Sequence, residues 1–322
     1  MSLKTISYAP EAWRLLSGIF CIYKPARVRL MDVRKLIINN LCRDLNDLEV
    51  RPPTDYVKIE GSVKSGQALT VTTVPNLADH PLVVGPRYQL QDIRMTSVDH
   101  VGRVVSGVVL MYVNGKSKIL RLLQEANQTR TYEIRGEFGR ASDTFWPTGR
   151  IVEKATYRHV TLGQMERLLA SIQASHQTQA FCYAGVQMDS EAAYQLAAAG
   201  DVRPAEKSPP LIYSLRCIDF EPPYFTLEMT CINEHQSYML QMVNDIGLKL
   251  RTCALCHKIR RIRYGHFDLD YALLRQHWNL EHILQSIQHC RPLLTPEMIT
   301  PQSAHFVKNS TGGVWPRANL SE

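Results

Sequence analysis

The residues with the most chemical character are Cys253, Cys256 and His257, in the spacing C-x-x-C-H. That spacing serves covalent haem attachment or half of a zinc site. Haem attachment needs an export signal. The first 17 residues carry Lys4, Glu11 and Arg14 and no long apolar core, so they do not read as one. Zinc needs a second ligand pair, and His266 and His277 stand at no familiar spacing from the first. Two buried thiols beside a strand or turn are the simpler expectation, with no metal. Gly115-Lys116-Ser117 ends like a phosphate-binding loop, but the first glycine of that loop would fall on Leu110. Leu110 lies in an apolar strand pattern, so a plain Asn114-Gly115 turn is expected. Asp268 and Asp270, at i and i+2, read as a solvated strand face. No nucleophile elbow of the Gly-x-Ser-x-Gly type is present.

The elements that would position any site follow from hydrophobic periodicity. Strands are predicted at 18–23, 69–74, 104–113, 132–138, 211–220 and 224–232, with a final hairpin over 256–264 and 267–269. Helices are predicted where Val33, Leu36, Ile37 and Leu41 share a face, from Ile119 to Ala126, over 161–173, from Ser190 to Ala199, and from Met239 to Gly247. Residues 50–68, with Pro52-Pro53, Gly61 and Gly66, read as a loop. Strands and helices mix without regular alternation, so the expected class is α+β, with a central sheet flanked by helices.

The chain has 322 residues, 45% apolar and 21% charged, which excludes a mostly disordered or fibrous protein. Eight cysteines within largely apolar runs read as free thiols of a reducing compartment. The longest apolar stretch, Val104 to Val113, is too short to span a bilayer, so no membrane insertion is expected. Net charge is +7, and its placement matters more than its size. The windows 12–31, 100–124 and 246–267 contain no acidic residue and hold 14 of the 37 basic ones. The remainder carries 23 basic against 30 acidic residues, so a basic surface on an acidic body is expected, with a polyanion as partner.

Five spaced segments resemble the TruB-type pseudouridine synthases, and among them the mitochondrial branch. They are Gly18-Ile-Phe-Cys-Ile-Tyr-Lys24-Pro25, Gln128-Thr-Arg130-Thr-Tyr132, the stretch from Gly139 through Asp143 to Glu153, Asn244-Asp245-Ile-Gly247, and Lys258-Ile-Arg260-Arg261-Ile-Arg263-Tyr-Gly265. The resemblance runs from about Gly18 to Trp278. It implies a pseudouridine-synthase-like domain over 1–280 with a mixed, mostly antiparallel sheet. The remaining 281–322 would be a partly disordered extension, not the PUA domain of bacterial relatives. It also implies RNA chemistry without cofactor or metal: a uridine is flipped out, and an aspartate detaches its base, which reattaches through carbon. Tyr132 would stack on that base. Lys24, Arg103, Arg130, Arg261 and Arg263 would hold RNA phosphates. The implied partners are structured RNA, tRNA-like or mitochondrial, and mitochondrial RNA-processing proteins.

The sequence departs from this pattern at its centre. Counted back without gaps from Ser106-Gly107, the nucleophile position is Gly102, and the nearest carboxylate is Asp99. Counted back from Gly247, the arginine that pairs with the nucleophile is Leu240. Losing one member of a buried ion pair would cost about 3–5 kcal/mol, whereas losing both is structurally quiet. The expectation is therefore an RNA-binding protein with impaired isomerisation. The alternatives are an active synthase in which an insertion brings Asp99 to the site, or a scaffold without RNA binding. Strand alternation places Arg261 and Arg263 on one face and Arg260 on the other.

Overall fold

The computed structural model describes residues 7–50, 54–62, 64, 66, 68–77, 81–115, 117–199 and 209–299. Its centre is a seven-stranded sheet. The strands β1 (Gly18–Lys24), β4 (Met95–Ser97), β5 (Val105–Val113), β6 (Arg130–Phe138), β9 (Leu211–Glu221), β10 (Tyr224–Ile232) and β11 (Ala254–Tyr264) build it. The order is β1-β5-β11-β6-β10-β9, with β4 also paired to β5. Only the β5–β11 pair is parallel, so the sheet is mixed and mostly antiparallel, as expected. All nine residues of β5 are buried, which is why it reads as a continuous apolar run and not as an alternating one.

Helices cover the sheet. In α2 (Leu30–Asp47), Val33, Ile37, Leu41 and Leu45 fall at helical spacing and are buried in the main core. The same core takes Met239, Leu240, Val243 and Ile246 of α7 (Gln236–Lys249) and Ile283, Leu284 and Ile287 of α8 (Leu280–Cys290). A second cluster on Val108, Leu110 and Tyr112 of β5 includes Leu123 of α4 (Ser117–Glu125). Along the far edge, α5 (Leu162–Tyr183) packs on β9, starting from a capping box between Thr161 and Gln164. Shorter pieces complete the body: α1 (Ala9–Leu15), α3 (Pro81–Val84), α6 (Glu191–Ala199), α9 (Pro296–Ile299) and the pair β7 (Arg140–Ser142) and β8 (Ile151–Lys154).

Three expectations change. Residues 55–60 are not loop but β2 (Asp55–Glu60), paired with β3 (Thr70–Pro75) in a separate ribbon. Because the ribbon touches no core, the loop signals around it outweighed its alternation. The domain does not end at 280: α8 buries its apolar stripe against β1, so packed structure continues to Ile299. Residues 300–322 lie outside the described residues. The proposed final hairpin shrinks to one bridge, Tyr264 to Phe267, and Asp268 serves only to accept the Asp270 N–H there.

Candidate active site

The site arises where β5 changes neighbours along one edge. One side of β5 is paired along its length with β1. The other side pairs with β11 only over Val105–Gly107, and with β4 only over Met111–Val113. Between these stretches the edge is shared by side chains and by the loop after β4. Two local features produce the change. Gly107 has φ +111°, and a Cβ there would lie 2.0 Å from the Arg261 carbonyl oxygen, so only glycine permits the approach. On β11, Arg261 pairs with Tyr132 and the next pair is Arg263 with Thr131, which leaves Ile262 as a bulge.

That bulge reverses the alternation expected from the sequence. Arg261 shares the face of Tyr132 and Arg130. Arg263 instead turns to the opposite face, where it donates to Thr131 Oγ1, and Arg260 lies there too beside Glu133. Arg261 and Arg263 therefore do not share a groove.

In the gap, Arg261 lies with its side chain 1% exposed and donates from Nε to the Val108 carbonyl at 2.6 Å. Its two terminal nitrogens grip Asp99, Nη1 to Oδ2 and Nη2 to Oδ1, the latter at 3.2 Å. Asp99 stands two residues past β4, and the Val98 N–H anchors its loop to the Leu110 carbonyl. A second guanidinium approaches from β6: Arg130 Nε is enclosed, makes no hydrogen bond, and stands 3.6 Å from Asp99 Oδ2. Arg130 Nη1 donates to Glu234 Oε2 at 3.1 Å, and the Tyr132 hydroxyl donates to Glu234 Oε1. The result is a chain of contacts, Arg261–Asp99–Arg130–Glu234–Tyr132, with Tyr264 against both guanidinium groups.

The electrostatics follow from burial and pairing. Burial alone would lower the Arg261 and Arg130 pKa values. Asp99 more than offsets this for Arg261, and Glu234 with Asp99 does so for Arg130. Burial, then the Glu234 carboxylate, pushes the Tyr132 hydroxyl well up, so it stays a donor. Tyr264 is pushed up to about 12 by burial and then by Asp99. Two carboxylates facing two guanidinium groups make the cluster neutral overall. Asp99 remains 11% exposed, and it is a carboxylate fixed in position with an outlet to the surface.

Several expected RNA contacts lie elsewhere. Lys24 is completely buried, and its Nζ donates to the carbonyls of Pro25, Arg103 and Val105 at 3.1, 3.1 and 2.7 Å. Burial, and then the Arg261 charge, lower its pKa to about 8. Its work is to tie β1 to the chain entering β5, not to meet phosphate. Arg103 is exposed and donates to the Arg27 carbonyl at 3.2 Å. The single groove expected from Lys24, Arg103, Arg130, Arg261 and Arg263 is thus not formed: two of the arginines are inside and Arg263 is on the other face. Glu234 was not foreseen. Its only signal is that it is the sole acidic residue between Glu228 and Asp245, just ahead of α7. Cys253 and Cys256 are buried free thiols, and His257 bonds Glu137. No metal-binding group of His, Cys, Asp or Glu occurs among the described residues. Nor is any described helix long and apolar enough to cross a membrane.

Known proteins resemble the chain over most of its length. The family pattern described as TruB family pseudouridylate synthase (N terminal domain) matches residues 93–238, from just before β4 into the first turn of α7. A Xenopus tropicalis protein, "Pseudouridylate synthase TRUB2, mitochondrial", is 38% identical over 289 residues, which cover 88% of each chain. The chain belongs to the TruB pseudouridylate synthase family. The Homo sapiens protein of the same name is 37% identical over 288 residues, 88% of this chain and 86% of that one. Among solved structures, the crystal structure of the archaeal box H/ACA sRNP Nop10–Cbf5 complex aligns with 92% of this chain at 11% identity and a TM-score of 0.44. The chain spans 60% of the length of that matched chain.

In this TruB-family chain the ungapped count puts Gly102 at the nucleophile position and Leu240 at that of its arginine partner. Gly102 packs on the start of α7, where a Cβ would lie 2.3 Å from Gln236 Oε1, the atom that accepts the Val104 N–H at 3.1 Å. Leu240 is an apolar core residue of α7. Neither position carries a charge, while Asp99 forms an ion pair with Arg261 and is flanked by Arg130.

Proposed function

We propose that the protein isomerises uridine to pseudouridine in RNA, with Asp99 as the nucleophile. The carrying observation is the Asp99 carboxylate, held by Arg261, flanked by Arg130 and joined through Glu234 to Tyr132. Two guanidinium groups contact the carboxylate that such chemistry needs. The base is detached by Asp99 and rejoined to the sugar through carbon, so the reaction conserves every atom of the uridine and needs no cofactor. Tyr132 is the aromatic neighbour of the base. Tyr132 is 3% exposed, so stacking requires the residues that cover it to yield as RNA enters. The RNA is a structured mitochondrial mRNA, tRNA or rRNA, and the protein works in mitochondria; the support for the location is the word mitochondrial in the names of its relatives.

A second reading, RNA binding with impaired isomerisation, is favoured by Leu240 at the position of the family arginine. Incubation of the purified protein with transcripts carrying labelled uridine, followed by nucleoside analysis, separates the two. Pseudouridine formed in proportion to enzyme and time supports activity. RNA retained without any pseudouridine supports the second reading and removes the first.

A further inference from the structure

Behind the Asp99 loop lies a cavity of about 390 Å³ that the proposed chemistry does not use. The loop is its wall: Asp99 turns toward Arg261, whereas its neighbours Thr96, Ser97, His100, Val101 and Arg103 line the cavity. The opposite wall is the start of α2 with Arg29, Leu30, Met31 and Arg34. Three arginines and a histidine line it, and no acidic residue does. The acids adjoining its lining in sequence are both paired, Asp32 with Arg29 Nε at 3.2 Å and Asp99 with Arg261. Among the described residues Arg34 and His100 form no ion pair and no side-chain hydrogen bond, so both are free to bind. Its apolar lining runs from the interior to the surface: Val101 is 5% exposed, Met111 is fully buried, and Met31 is 65% exposed. Two acid-free windows of the sequence, 12–31 and 100–124, meet here through Arg29 and Arg103.

A ligand for this cavity needs a negative charge for the arginines and a flat apolar portion to lie against Met31 and Val101. We propose that it holds one nucleotide of the RNA strand that carries the target uridine, with its phosphate on Arg29, Arg34 and Arg103 and its base toward Met31. The cavity matches a nucleotide in scale, and its wall is the loop that bears the nucleophile, so one strand can reach both. This inference rests on the reading of the protein as an RNA-modifying enzyme.

The full chain, labelled at its methionine methyl groups, is titrated with a short uridine-containing stem-loop RNA and separately with uridine 5′-monophosphate. The Met31 signal is assigned by its loss in Met31→Leu. Affinity for the stem-loop is measured at several salt concentrations for the wild type, Arg34→Glu, and Arg167→Glu, an exposed change on α5 at the far sheet edge. The expected result is a Met31 shift with RNA and a three- to tenfold affinity loss in Arg34→Glu. The salt slope should fall by about 0.7 to 1, as for one lost phosphate contact, while Arg167→Glu stays near wild type. An unmoved Met31 signal in bound RNA, or equal losses in both variants, overturns the pocket and leaves the enzymatic reading intact. A Met31 shift that saturates as readily with the mononucleotide as with RNA makes it a free-nucleotide site and overturns the strand assignment. No affinity of the wild type for RNA overturns both readings together.

Discussion

Arg261 is enclosed by β5 and β6, and among the described residues its only anionic partner is Asp99. Asp99→Asn leaves the guanidinium with the Val108 carbonyl, a neutral amide and the like charge of Arg130 nearby. Arg261→Met leaves Asp99 with Arg130 alone, 3.6 Å away and already bonded to Glu234. Breaking a buried pair from either side costs about 3–5 kcal/mol. Both side chains lie inside, at 1% and 11% exposure, so little solvent screening reduces that figure. The double variant strands no charge, since Arg130 and Glu234 still match. It is expected to lose about 2–3 kcal/mol less than the sum of the single losses. Urea denaturation of the four proteins at pH 7 gives the coupling directly. Additivity within about 0.5 kcal/mol would refute the claim that Asp99 and Arg261 are one electrostatic unit.

Three further outcomes follow from individual residues. Lys24 has a folded pKa of about 8 against an ordinary 10.5, so between these values the folded protein binds fewer protons than the unfolded chain. Stability from this group therefore rises with pH through that window, by about 3 kcal/mol in all. The difference between wild type and Lys24→Met, followed by denaturation from pH 7 to 10.5, should show that rise; a flat difference contradicts it. Glu234→Gln removes the anionic acceptor of both Tyr132 and Arg130 and should cost about 2–3 kcal/mol in chemical denaturation, with a change in the near-ultraviolet aromatic signal. Gly107→Ala would push a methyl group into the β11 backbone at a φ that disfavours side chains. It should cost about 3 kcal/mol or more, read as a fall in melting temperature, whereas an unchanged melting temperature would show that β5 and β11 separate easily.

The architecture was largely legible, because the strands that carry it are strongly apolar. β5 and the buried stripe of α2 are plain in the residue pattern. The ribbon of β2 and β3 was half missed because its residues are exposed and no buried face enforces alternation. α8 was missed because its stripe sits in a polar surround after the last family segment. At the site, the family resemblance marked Asp99, Tyr132, Arg130 and Arg261 as candidates but could not join them. One irregularity defeats counting: the bulge at Ile262 that turns Arg263 away. A one-residue bulge leaves no mark in composition, yet it decides which arginine faces the carboxylate. Lys24 shows the same limit, since a Lys-Pro turn reads as exposed and the amine is enclosed by three carbonyls. Glu234 belongs to no motif and became visible only when β6 and the loop before α7 came together.

The central claim is that the Asp99 carboxylate performs the chemistry. Asp99→Asn keeps the size of the side chain and removes its charge, and it is compared with wild type for pseudouridine formed per enzyme and for RNA affinity. Assay below the melting temperature of the variant separates chemistry from unfolding. The expected result is RNA affinity within about threefold of wild type, since Asp99 faces the arginines and not the cationic cavity, with pseudouridine formation lost by at least about a thousandfold, or about 4 kcal/mol of barrier. Turnover by Asp99→Asn at a rate near that of the wild type would contradict the account.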